Sequence, residues 1–186
     1  MKLKKLSKKW LLSKNACPVS IEAFSKQSER NPLKVIELLI KTSHWDWGNW
    51  LITRMMTKRQ CVQYAIYAAE QVINIFEQKY PYDTRPRKAI EAASLYLKSP
   101  VARAADAAYA AAYDAYAAYD ADAAYARAAD AAYAAAYAAD AAYAAARDAD
   151  AAYAAAYAAD YAAYAYLNLK YKMIRYGVGL LKEKSA

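Results

Sequence analysis

Glycine occurs three times, proline five, cysteine twice and histidine once among 186 residues. Each scarcity excludes a class of protein. Between Val101 and Tyr166 there is no glycine and no proline, and Val101 is the only β-branched residue. Strands there lack both turn punctuation and material. An all-α protein remains, a compact multi-helix bundle.

Cys17 and Cys61 stand 44 positions apart with no second cysteine or histidine at ligand spacing, which excludes a disulfide framework and a zinc knuckle. Reduced thiols and a cytoplasmic location are expected. The opening MKLKKLSKKWLLSK is basic like the start of an export signal. Its apolar run, Trp10, Leu11 and Leu12, is far shorter than the roughly seven residues such a signal needs. The longest low-charge tract, Ala131 to Arg147, is alanine and tyrosine around Asp140, too weakly apolar for a membrane span of about 20 residues. No membrane partner is expected.

The charge is plentiful but segregated. The net +8 divides into 18 Lys/Arg against 8 Asp/Glu over residues 1–100, 3 Arg against 9 Asp over 101–166, and 5 basic residues against Glu183 beyond. A basic N-terminal part (1–100) and a basic tail (177–186) thus bracket an acidic helical block within one expected domain. That arrangement attracts an anionic ligand or an acidic partner surface. The basic residues are scattered rather than gathered on one periodic face, which argues against bulk nucleic-acid binding.

In the first hundred residues the helix boundaries are legible. A helix begins near Ser20 and ends before Pro32. Asn31 and Pro32 form an N-cap and first-turn pair for a second, with Leu33, Ile36, Leu39 and Ile40 on one face. A third spans His44 to Met56, Thr57 caps a long fourth through Tyr80, and Pro86 opens a fifth that ends at Ser99 and Pro100.

The composition then changes. Of the 66 residues from Val101 to Tyr166, 40 are alanine, 13 tyrosine, 9 aspartate and 3 arginine. Alanine gives the segment helix propensity and tyrosine gives it area to bury. A single helix of that length would reach about 100 Å at ~1.5 Å per residue, so the block must fold back on itself. Asp120-Ala121-Asp122 and Asp148-Ala149-Asp150 supply N-caps for the breaks, predicting helices over 101–119, 122–147 and 150–176. AAYAAAYAAD recurs at Ala131 and Ala151. Ten residues fall roughly 80° short of three full turns, a drift that suits helices surrounded on several sides. Arg103, Arg127 and Arg147 each precede an aspartate by three residues, as in same-face ion pairs. Alternatively, they face a central cleft in which short neighbours leave the guanidinium open to an anion.

Chemistry-bearing motifs are few. His44 is the only histidine, neither cysteine neighbours a candidate base, no glycine-rich phosphate loop exists, and the aspartates read as caps and solvated groups. Neither an enzyme nor a cofactor is expected. DADAAY lacks the glycine and terminal glutamate of a calcium loop. Two clusters stand out. In HWDWGNW, Trp45, Trp47 and Trp50 either anchor a helix start or leave a ring to stack on a ligand. In YPYDTRPRK, Arg85, Arg87 and Lys88 gather at a helix N-terminus, either tied to Glu77 and Asp83 or holding an anion.

The segments Trp47-x-x-Trp50-Leu51, Tyr67-Ala68-Ala69-Glu70, Phe76-Glu77 and Tyr80-Pro81-x-Asp83-x-Arg85-Pro86-Arg87-x-Ala89-Ile90-Glu91-Ala92-Ala93 precede aromatic-broken alanine repeats. Together they resemble the immunity protein five-like group carried by bacteria and phages, over roughly Cys17 to Tyr166. The resemblance implies an all-α protein of bacterial conflict that neutralises a toxin by binding, and it brings no catalytic residues. The expected function is therefore a non-catalytic inhibitor of a toxin or defence protein. The alternative is a phage anti-defence sponge for a small anionic nucleotide, with tyrosine or tryptophan stacking on the base and arginine holding phosphate. An ice-binding role fails because the block contains no threonine and its repeat drifts around the helix. The many tyrosine hydroxyls need partners when buried, which favours a homodimer.

Overall fold

The computed structural model describes residues 3–120, 126–147, 150–165 and 169–183, with all their side chains except those of 113, 116–120, 126–129, 132 and 165. Among the described residues there are eleven α-helices and no strand. They are α1 Lys8–Ser13, α2 Pro18–Lys26, α3 Pro32–Lys41, α4 Trp45–Met55, α5 Lys58–Glu70, α6 Ile73–Lys79, α7 Arg85–Lys98, α8 Ala102–Asp120, α9 Ala126–Ala146, α10 Ala151–Ala165 and α11 Leu169–Glu183. The all-α bundle expected from composition is what forms.

Local chemistry starts several of these helices. Asn31 Oδ1 accepts the Leu33 N–H at 3.0 Å while Pro32 fills the first turn of α3. Thr57 and Gln60 form a reciprocal capping box at the start of α5, with Gln60 N–H on Thr57 Oγ1 at 3.2 Å and Thr57 N–H on Gln60 Oε1 at 3.0 Å. The basic opening segment contains α1, which sequence reading did not find; Ser7 caps it by accepting the Trp10 N–H at 3.1 Å.

One expected helix is divided. The one running from Thr57 to Tyr80 breaks at Gln71 and Val72, giving α5 and α6. No glycine or proline marks the break. It lets Ile73 and Phe76 turn into the core, where both are almost fully buried, as α6 packs on α9. The one expected over 150–176 is helical as α10 to Ala165 and as α11 from Leu169, with 166–168 outside the described residues, and the segment read as a basic tail from 177 lies largely within α11, where Leu180 and Leu181 are buried. Of the first proposed break, Ala121 and Asp122 lie outside the described residues, as do Asp148 and Ala149 of the second. Asp150 does cap α10, its carboxylate accepting the Tyr153 N–H at 3.0 Å.

The core has two textures. Through α3 to α6 it is built of large side chains, including Ile36, Ile52, Val62, Tyr64 and Phe76. Through α8 to α10 it is almost entirely alanine. Helix α9 sits at the centre, packed by α5, α6, α7, α8 and α10, as the drifting repeat predicts. Short side chains allow such close neighbours. The tyrosines stack between helices: Tyr109 on Tyr143 with centroids 4.4 Å apart, and Tyr133 against Tyr161 at 4.5 Å. Helix α11 closes over α4 and α5 at Gly177, where a Cβ would stand 2.7 Å from Ile52 Cγ2.

Candidate functional site

Where α10 of the alanine block meets the N-terminal helices, a cleft of about 660 Å³ opens. Such a volume suits a small-molecule ligand. Helix α4 forms one wall. Trp47, Trp50 and Arg54 recur at helical spacing and all line the cleft, as the amphipathic pattern of the tryptophan cluster allows. Phe24 and Gln27 of α2 and its cap, with Val35, Leu38 and Leu39 of α3, form a second wall. Tyr153, Tyr157 and Asp160 of α10 form the third. The surface is mostly apolar, with aromatic rings on opposing helices.

A hydrogen-bonded network joins three helices at the base of α4. Tyr64 O–H donates to Asn49 Oδ1 at 3.0 Å, and Asn49 Nδ2 donates to Asp160 Oδ1 at 2.8 Å and to the Ala156 carbonyl at 3.0 Å. The buried Trp45 side chain also favours the Asp160 carboxylate. Burial pushes the Asp160 carboxyl up to about 6, and the nearby Asp46 carboxylate adds to the shift. Asn49, Trp45 and Lys170 oppose it without cancelling it. Burial, the dominant cause, also holds the Tyr64 hydroxyl well above its ordinary range.

Arg54 divides the cleft from a smaller crevice of about 310 Å³ lined by Lys14, Lys58, Thr53 and Asp150; Asn15 and Arg54 belong to both. The Arg54 guanidinium lies 5.7 Å from the Trp50 ring centroid and donates through Nη1 to Asp150 Oδ1 at 2.6 Å. Charge is therefore segregated. Asp46 and Asp160 line the apolar cleft, whereas Lys14 and Lys58 line the crevice with Arg54 at the boundary.

Cys17 and His44 also line the cleft. No spacing in sequence places them together. The His44 ring stacks on Trp47 at 4.6 Å and its Nδ1 lies 2.9 Å from Thr42 Oγ1. The Ser20 hydroxyl, by hydrogen bonding, lowers the Cys17 thiol below its ordinary range. Among the described residues no group of three potential ligands gathers to hold a metal ion, and no helix is long and apolar enough to cross a membrane.

The residues singled out in sequence are not brought together. Trp47 and Trp50 line the cleft, whereas Trp45 is buried and does not. Arg85, Arg87 and Lys88 stand elsewhere, at the start of α7. Arg85 grips Asp83, with Nε to Oδ1 at 3.0 Å and Nη2 to Oδ2 at 2.7 Å. Arg87 grips Glu77 through two bonds of 2.7 Å. Each pairing pulls its carboxyl below the usual range. The structural alternative for this string is the observed one: it clamps α6 and its following loop to α7. Lys88 is exposed.

Arg103 and Arg147 are exposed on the surface rather than turned into a central cleft. Arg147 pairs across helices with Asp106 at 2.8 Å, and Asp150 pairs with Arg54, so the expected three-residue pairs Arg103–Asp106 and Arg147–Asp150 give way to partners distant in sequence. Arg127 lies outside the described side chains. Sequence reading missed Asp160, Asn49 and Arg54 as site residues. A buried-type asparagine four residues after Trp45 was the available signal; Asp160 looked like every other aspartate of the repeat.

Compared with known proteins, the chain matches no family model, no curated protein and no solved structure. The resemblance to immunity proteins thus stands on the string from Trp47 to Ala93 and the alanine repeats alone.

Proposed function

We propose that the chain is a non-catalytic binding protein that sequesters a small anionic nucleotide, acting in bacterial or phage conflict as a sponge for a nucleotide signal. The observation that carries this reading is the continuity of an aromatic cleft with a cationic crevice through Arg54 and Asn15. A base stacked on Trp47, Trp50 or Tyr157 gains about 1–3 kcal/mol from the ring contact. Its phosphate then lies toward Lys14, Lys58 and Arg54. The Arg54 guanidinium carries five N–H donors and so can serve a phosphate while one of them stays on Asp150.

The conflict setting rests on the resemblance. Occlusion of a protein toxin is the second reading, favoured by the same resemblance, but a stable protein interface covers roughly 800 Å² per partner and needs no enclosed cleft. Native mass spectrometry of the tagged protein, recovered from bacteria under phage or toxin challenge, separates the two. An adduct of nucleotide mass released on unfolding supports sequestration. A protein partner at fixed stoichiometry supports toxin neutralisation, and a bare chain under both challenges counts against each.

A further inference from the structure

Resting on the nucleotide-sequestering reading, the polar groups of the cleft narrow the class of base. Aromatic walls discriminate poorly, because every base presents a π-face. Selection falls to groups at the ring edge, where an unmatched polar atom is costly to bury.

Two acceptors in the lining have capacity to spare. Gln27 Oε1 is closed off from solvent and, among the described residues, has no hydrogen-bond partner. The Asp160 carboxylate accepts from Asn49, which leaves about three of its roughly four acceptor positions. Beside it Asp46 adds a second carboxylate, and its repulsion outweighs the attraction of Lys170. The one guanidinium of the lining, Arg54, is engaged by Asp150 at the far boundary. The surroundings of Asp160 therefore favour a ring that donates hydrogen bonds, and disfavour one that turns a nitrogen lone pair toward the carboxylates.

We infer that the cleft selects a guanine-type base, whose ring N–H and exocyclic amine donate to Asp160, with the phosphate directed to the Lys14 and Lys58 side of Arg54. Adenine presents a ring acceptor where guanine presents the N–H, so the same carboxylate that holds one repels the other. Hypoxanthine keeps the N–H and lacks the amine. It falls between them.

Isothermal titration of the full chain at pH 7.5 with GMP, IMP and AMP tests this. The expected order is GMP, then IMP, then AMP, with GMP ahead of AMP by roughly 10- to 100-fold. Asp160→Asn should keep the Asn49 bond, because an amide oxygen can accept it, and near-ultraviolet circular dichroism checks that the variant is folded. It should bring GMP and AMP to within about threefold by weakening GMP and tightening AMP, which a loss of packing would not do. AMP binding as tightly as GMP, or an unchanged preference in the folded variant, overturns the guanine inference and leaves sequestration standing. Binding of none of the three to the folded wild-type chain overturns both.

Discussion

The helices before Ser99 and those of the alanine block bury their apolar surface by opposite means. In the first region each helix has a distinct sequence, α1, α3 and α5 carry side-chain caps, and a few large side chains such as Ile52 and Phe76 fill the core. In the second, α8 to α10 repeat one composition, and the core is made of alanines while stacked tyrosines fill the spaces between helices. A large-residue core fails when a side chain is removed, and an alanine core fails when one is added. The cleft lies at the junction because large and small packing styles meet there: tryptophans of α4 face tyrosines and an aspartate of α10.

Truncation should therefore hit the first region hardest. Ile52→Ala, at a fully buried position, should cost about 3 kcal/mol in urea unfolding. The converse test enlarges the second region: Ala158→Leu, also fully buried, should cost roughly 1–3 kcal/mol. An Ala158→Leu variant as stable as wild type would remove the contrast between the two cores.

At the junction the sign reverses. The Asp160 carboxyl is raised to about 6 in the folded protein, against an unfolded value near 3.9. A raised carboxyl means that the folded state holds more protons than the unfolded one between those values. Its contribution to stability is fully present below about pH 4 and is lost as pH rises through 6. Asp160→Asn should accordingly stabilise the protein at pH 7.5 by roughly 1–2 kcal/mol, discounted for partial exposure, and change it little at pH 4. Thermal melts at the two pH values measure the difference. A carboxylate kept where an amide would be more stable is a mark of a functional group.

Smaller effects belong to the surface. Glu77→Gln breaks the two-bond clamp on Arg87 and should cost about 1 kcal/mol at neutral pH. Because the Glu77 carboxyl is lowered, that stabilisation is present above the unfolded value near 4.3 and is lost as pH falls through the lower folded one. Arg147→Ala removes an exposed pair with Asp106 and should leave the thermal melting midpoint unchanged.

What was legible in the sequence was local. Asn31 with Pro32, and Thr57 with Gln60, name their helix starts because the capping partners lie within three residues. The break after Glu70 was not legible, since burial of Ile73 and Phe76 against α9 produces it and no turn residue marks it. The expected pairs of Arg103 and Arg147 failed for the same reason: Arg147 finds Asp106, 41 positions away, and Arg54 finds Asp150, 96 away. The tryptophan cluster was visible as a candidate, yet its cleft needs Asp160, whose bond to Asn49 spans 111 positions. The most distinctive string, from Phe76 to Ala93, proved to carry a structural clamp in place of an open anion site.

The central claim is that the junction between the two regions is where ligand binds, and Cys17 reports on it directly. Its thiol is exposed in the cleft lining and lowered in pKa, whereas Cys61 is buried and serves as an internal control. Alkylation by iodoacetamide, followed residue by residue by mass spectrometry, should slow severalfold at Cys17 when the tightest-binding nucleotide saturates the protein. An unchanged Cys17 rate at saturation would place the ligand elsewhere and contradict the account.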